Sequence, residues 1–548
     1  MKNKWIIMAA LAALQTGSME SIACTDLLVG KKASADGSVI ISYAADSHNL
    51  YGELYHWPAA IRPKGAMLEV KEWDTGKPLG KIPQVEQTYS VIGNMNEYQV
   101  AITESTWGGH RELRDSTGIM DYGSLIYIAL QRSKTAREAI RVMTGLVAEH
   151  GYYSGGESFS IADKNEVWIM EMIGKGVNNK GAVWVAIRIP DDCISAHANQ
   201  ARIQQIPFED KENCLYSPDV VSLAREKGYF KGKDKDFSFA KAYNPYDFSG
   251  LRGCEARVWS FFRKYDSTMD KYVDFIKGDP SKEPMPLYIK PNRKLSVQDV
   301  QNCMRDHYEG TALDMTQDAG AGPYKVPYRW RPMNFPVDGK MYVNERAIAT
   351  QQTGFVIVPQ MRNWLPDEVG GILWFGVDDA DMAVFTPLYS SLLASPECYQ
   401  VGNGDMYNFS WTSAFWIHNW VANMAYHKYS YMINDIRKVQ SELENGYKEI
   451  LPAIDKAALE LQAQSPSEAR KFLTWFSTTT ARNATTRWKE LGEYLLVKYI
   501  DGNMKKEENG QFRRNPYGLP ASPDFPGYDE AYYRNIVVSA GDRLQVKE

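Results

Sequence analysis

The stretch from Cys24 to Ser47 reads CTDLLVGKKASADGSVIISYAADS, and it sets the character of everything that follows. After Cys24-Thr25 comes a short strand, then a Lys-Lys-Ala-Ser turn and Asp36-Gly37-Ser38, and then the apolar, β-branched run from Ser38 to Tyr43. A sheet therefore opens this part of the chain. Downstream, Ser90–Ile92 and Val100–Thr103 flank the turn-like Gly93-Asn94-Met95-Asn96, which predicts a hairpin. Helical periodicity covers Tyr122–Arg132, and Thr135 with Glu138 forms a capping-box signature for a second helix reaching about His150. Phe159–Ala162 and Val167–Met172 then flank Asp163-Lys164-Asn165-Glu166 as another hairpin, and Ala182–Ile187 adds a strand. Strand pairs separated by a helix pair predict an α+β protein of stacked sheets covered by helices.

Further on, residues 207–294 have weaker periodicity and more Lys, Asp, Pro and Tyr, and read as an inserted cap-like region. Ser296 caps a predicted helix through His307, and β pattern returns at Gly354–Val358, Ile372–Phe375 and Met382–Phe385. From about Tyr407 the pattern is mainly helical. The expected division is a leader at 1–23, a core at 24–400 carrying the 207–294 insertion, and a helical part at 401–548.

Upstream of Cys24, Lys2 and Lys4 form a basic start, Trp5–Leu14 is almost wholly apolar, and Ser21-Ile22-Ala23 has the small-x-small form of a cleavage site. A membrane anchor needs about 20 apolar residues, whereas this run stops at Gln15 and then meets Glu20. The expectation is an exported chain, periplasmic or extracellular, with no integral membrane segment after cleavage and Cys24 as its first residue. Its charge of −5 is spread without a long basic block, which argues against nucleic acid as a partner.

A cysteine that begins a chain carries its own α-amino group a few bonds from the sulfur. That amine has an ordinary pKa of about 7.7–8.0, so it can take the thiol proton near neutrality and return it to a leaving amine. Other readings of Cys24 are a lipoprotein cysteine, disfavoured by Ser21 where a lipobox carries an aliphatic residue, and an ordinary core or disulfide cysteine. There is no His-Glu-x-x-His helix, Gly-Lys-Ser/Thr phosphate loop or Gly-x-Ser-x-Gly elbow. Cys193 with His197 could share a helix face without closing a zinc site, and Asp378, Asp379 and Asp381 read as a solvated turn rather than a calcium loop. No metal and no organic cofactor is expected.

The Cys24–Ser47 stretch resembles the start of the dipeptidase A family of cysteine peptidases, N-terminal-nucleophile hydrolases related to penicillin V acylase and bile salt hydrolase. The resemblance continues in GNMNEYQVAITEST from Gly93, HANQARI from His197, RVW from Arg257 and GGILWFGVDDADMAVFTPLY from Gly370. It implies a four-layer αββα sandwich and an exported dipeptidase whose substrates are dipeptides. An amide hydrolase of acylated amino acids, penicillin or bile salts is the alternative, and a lipid-anchored, non-catalytic binding protein a second one. A homo-oligomer is left open.

Residue by residue, the resemblance makes Cys24 the nucleophile, Asp46 the carboxylate that orients the amine, and Asn199 a side-chain donor to the oxyanion. Arg257 is a substrate-binding or nucleophile-supporting arginine, and Thr106 or its neighbour Ser105 a backbone oxyanion donor. Relatives often carry an arginine three residues before the Asp46 position, where this chain has Tyr43. Dipeptide recognition also calls for a carboxylate near the substrate ammonium; Glu104 is one candidate, equally readable as an exposed strand residue.

Overall fold

The computed structural model describes residues 24–546; the leader expected at 1–23 lies outside the described residues. The chain is α+β, built on two eight-stranded antiparallel sheets. The first runs Tyr288–Ile289, Ile194–His197, Asp26–Val29, Val39–Ile41, Thr353–Met361, Gly371–Val377, Thr386–Tyr389, with Tyr43–Asp46 also paired to Thr353–Met361. The second runs Cys214–Tyr216, Ala182–Ile189, Val167–Gly174, Gly156–Ala162, Ala101–Trp107, Met95–Asn96, Val91–Ile92, His56–Trp57. Residues 207–294 thus give one edge strand to each sheet.

Both faces of both sheets are covered, which explains why their strands read as nearly continuous apolar runs. Along Leu27-Leu28-Val29 the pleat turns Leu28 inward to pack with Ile41, Ala101, Ile169 and Val185 between the sheets. Leu27 and Val29 face outward onto Phe261 and Phe262 of the helix Ala256–Arg263, in a core that extends to Ile436 and Leu491 of the long helices Tyr429–Gln464 and Pro466–Tyr499. On the far side of the second sheet, Ile102, Phe159 and Met170 pack on Leu125 and Met143 of helices Tyr122–Leu130 and Ala136–His150. Those two helices start where their polar caps place them: Asp121 accepts from Ser124 N, and Thr135 from Glu138 N.

Two local expectations are corrected. Met95–Asn96 is itself a strand paired to Val91–Ile92, so the first turn is the two-residue Gly93-Asn94, with Gly93 at φ 53°. A second turn follows because Asn96 Oδ1 accepts from both Tyr98 N and Val100 N at 3.0 Å. Residues 382–385 are not a strand. Their backbone is satisfied from a helix instead: Gln440 Nε2 donates to Ala383 O at 2.6 Å, and Glu444 Oε1 accepts from Phe385 N at 3.1 Å. The strand begins at Thr386.

All six cysteines are unpaired thiols. Among the described residues no helix is long and apolar enough to cross a membrane.

Candidate active site

Cys24 stands fully buried at the head of the strand Asp26–Val29. Thr25 N donates to Ala44 O at 3.3 Å and Ala44 N to Thr25 O at 3.0 Å. Carried one step further, that antiparallel register sets Ala45 opposite Cys24 and Asp46 next to the nitrogen of Cys24. Sequence spacing alone could not show this, because the turn between the two strands has no fixed geometry.

Arg257 ties this strand head to the loop after Ile194–His197. It projects from the helix Ala256–Arg263, which follows a π-helical turn at Gly250–Glu255, a kind of irregularity common where a side chain must be re-aimed. Nη1 donates to Cys24 O at 2.6 Å and to Thr25 Oγ1 at 2.8 Å; Nη2 donates to Ala198 O at 3.1 Å and Asn199 Oδ1 at 2.9 Å; Nε donates to Gly253 O at 2.8 Å. A guanidinium has five N–H donors and all five are committed. Arg257 therefore supports the strand headed by Cys24 and has no donor left for a further partner.

Because Arg257 can only donate, it fixes which end of the Asn199 amide is oxygen. The nitrogen then faces Thr106, donating from Nδ2 to Thr106 O at 2.7 Å. Asn199 adopts φ 62°, a left-handed conformation rare outside glycine and tolerated best by asparagine. Thr106 meets the site through its carbonyl, while its hydroxyl donates to Glu157 Oε2 at 3.1 Å. Ser105 is turned toward His197, with Oγ 2.6 Å from Nδ1.

Two side chains touch the sulfur. Tyr43 Oη and Glu104 Oε1 each lie 3.6 Å from Cys24 Sγ, and the Tyr43 hydroxyl donates to Glu104 Oε1 at 2.6 Å. The place of the relatives' arginine is thus held by a phenol pointing at a carboxylate. Burial, and then the negative charges of Glu104, Asp46 and Asp26, push the thiol well above its ordinary pKa, with the Tyr43 hydrogen bond pulling the other way. A thiol so placed keeps its proton until a base beside it takes it.

Tyr43 and Glu104 also form part of the wall of a cleft. The rest of that wall is largely aromatic, with Tyr55, Trp57, Trp73 and Tyr127 on one side and Phe355 and Phe375 on the other. Glu104 is buried rather than exposed, at 1%.

Asp46 is held by two groups with no local sequence signal. Arg346 donates from Nη2 to Oδ2, and the Thr353 hydroxyl to Oδ1 at 2.6 Å. Burial still leaves the carboxyl above its ordinary pKa, against the pull of Arg346 and Thr353. Removing one partner of a buried ion pair leaves an uncompensated charge, at about 3–5 kcal/mol. Arg346→Ala is expected to lower unfolding free energy by about that amount in a denaturant titration, and a change within experimental scatter would show that Asp46 takes up a proton or is solvated instead.

Cys24, Asp46, Asn199, Arg257 and Thr106 are therefore brought to one locality. Arg346 and Thr353 join them unannounced. Cys193 and His197 do not share a helix face: His197 ends a strand, and burial holds it down to about pKa 3. Being neutral, it bonds Ser105 Oγ and Ser160 Oγ at 2.6 and 2.8 Å, while Cys193 Sγ turns to Asp192 at 3.7 Å.

The chain matches the family model described as Peptidase family C69 over residues 23–57 and 53–442. It is 27% identical over 503 residues to a "Probable dipeptidase" of Latilactobacillus sakei, covering 88% of this chain and 96% of that one. A "Probable dipeptidase" of Salmonella dublin is 26% identical over 70% of this chain and 84% of its own. Dipeptidase A of Lactobacillus helveticus is 24% identical over 79% of this chain and 86% of its own.

Proposed function

As this chain belongs to peptidase family C69, the dipeptidase A family of cysteine peptidases, we propose that it is an exported dipeptidase in which Cys24, freed by removal of residues 1–23, is the N-terminal nucleophile. The two stacked sheets with helices outside each are read as the αββα sandwich of N-terminal-nucleophile hydrolases. The observation that carries the proposal is the convergence on Cys24. Arg257 grips its carbonyl, the register sets Asp46 beside its nitrogen, and its sulfur adjoins the cleft wall.

In this reading the neutral α-amine of Cys24 takes the thiol proton as sulfur attacks the scissile carbonyl carbon, and Asp46 steadies the resulting ammonium. The Asn199 amide donates to the oxyanion, held in aim by Arg257 and Thr106. Collapse breaks the C–N bond, the ammonium returns its proton to the departing amino acid, and a thioester is left on sulfur. Water, deprotonated by the same amine, then releases the first residue as a free acid.

The test is the mature protein itself. Its mass is expected to begin at an unmodified Cys24, and unblocked dipeptides are expected to be cut faster than penicillin V or glycine-conjugated bile acids. A lipid mass on Cys24 would support the anchored binding protein, and the reverse substrate order would support the acylase.

A further inference from the structure

A buried carboxylate needs a counter-charge, and Glu104 has none within ion-pair distance among the described residues. Oε1 accepts from Tyr43, a neutral donor, and the carboxyl also meets the carboxyl of Glu157 in a hydrogen bond. On the adjoining strand Glu157 sits opposite Thr106, so it lies diagonally across from Glu104, and it is fully buried. Burial, the charge of Glu104 and the hydrogen bond with it push the Glu157 carboxyl well above the usual carboxylate range. Glu104 and Glu53 are the carboxyls at the cleft wall, Glu104 being the one beside Cys24, and the described residues lining that cleft include no Lys, Arg or His.

We infer that Glu104 is the receptor for the free α-ammonium of the substrate, with the aromatic shelf of Tyr55, Trp57, Trp73 and Tyr127 taking the side chain of its first residue. The inference rests on Cys24 being the nucleophile, and the dimensions agree with that. In any amino acid the α-nitrogen lies about 2.5 Å from the carbonyl carbon, by standard backbone geometry. An ammonium on a carboxylate sits about 2.8 Å away, and an attacking atom stands roughly 3–3.5 Å from its carbon. Those three lengths close a four-sided figure on the observed 3.6 Å between Glu104 Oε1 and Cys24 Sγ.

A single residue between ammonium and scissile carbonyl fits these lengths. The shelf is rigid: Trp57 stacks on Tyr127 with centroids 4.9 Å apart, and Tyr55 stacks on Trp57 at 5.7 Å. Flat rings of this kind favour an apolar or aromatic first side chain, and the charge of Glu104 disfavours an acidic one.

Glu104 could instead be the base for the thiol. A carboxylate is too weak a base to hold the proton of a thiol that burial has made less acidic.

Binding can be separated from turnover in the mature Cys24→Ala protein, titrated calorimetrically with Phe-Ala and with N-acetyl-Phe-Ala. Loss of a charge-assisted contact predicts about 30-fold tighter binding of the free dipeptide. Adding Glu104→Gln is expected to erase that preference, whereas Glu104→Asp, which keeps the charge, retains part of it. Gln is isosteric and its amide oxygen can still accept from Tyr43, so the melting temperature of this variant is expected not to fall. Equal binding of both ligands, or a preference that survives Glu104→Gln, would overturn the inference. Turnover by wild type is judged separately: dipeptide cleavage lost in Cys24→Ala, with a preference indifferent to Glu104, removes the ammonium site and leaves the nucleophile. A Glu104-dependent preference without Cys24-dependent turnover does the opposite.

Discussion

Cys24→Ala is expected to lower dipeptide turnover by on the order of 10⁶, the scale set by deleting a nucleophile from a hydrolase whose other groups remain. The fold should survive. Cys24 is buried, yet its structural ties run through the backbone: Arg257 bonds its carbonyl oxygen, and the Thr25–Ala44 pair holds the strand. The sulfur adds only 3.6 Å contacts to Tyr43 and Glu104, so unfolding free energy should change by about 1 kcal/mol at most, in the ordinary range for a small buried truncation. Turnover assays with unblocked dipeptides, paired with thermal unfolding of the same preparation, read both effects. Substantial residual turnover in a folded variant would mean that water is activated directly and that no thioester forms.

Some of this site was legible in the sequence. The strand-turn-strand pattern after Cys24-Thr25 is local, and it placed the strands that carry the site, while the role of Asp46 came through resemblance. The Asn199 string and Arg257 came through resemblance. What was not legible depends on contacts remote in sequence. Arg346 meets Asp46 across 300 positions, and it lies where no periodicity marks it. The burial of Glu104 was equally hidden, since its strand runs in a sheet covered on both faces and alternation no longer separates inside from outside. The strand expected at 382–385 failed for a related reason, because the long helix Tyr429–Gln464 supplies hydrogen-bond partners that a sheet would otherwise give. The missing arginine at Tyr43 is the most instructive case. Arg257 bonds the carbonyl of Cys24 rather than its sulfur, and Arg346 sits on Asp46, which leaves the sulfur beside Glu104.

In the proposed mechanism that acidic setting makes the α-amine decisive, and an N-terminal extension tests it. Tyr43 donates its proton to Glu104 and so offers no base, and Glu104 is a carboxylate facing a thiol whose pKa has been driven up. A single uncleavable residue placed ahead of Cys24 turns the amine into an amide, which has no basicity, while the nucleophile, Arg257 and Asn199 stay in place. Loss of a general base typically costs about 10²–10⁴ in rate, and the extended protein is expected to lose at least that much with its melting temperature unchanged. The pH profile carries the sign. Only the neutral amine can accept the thiol proton, so kcat/KM of the unextended protein should rise with pH through the amine's pKa. The negative charge of Asp46 beside the nitrogen favours the ammonium and moves that limb upward from the ordinary value of about 7.7–8.0. Asp46→Asn should therefore shift the limb to lower pH while lowering kcat, because the ammonium formed during attack loses its partner. An extended protein that retained full activity, with the same rising limb, would transfer the base role from the α-amine to a side chain.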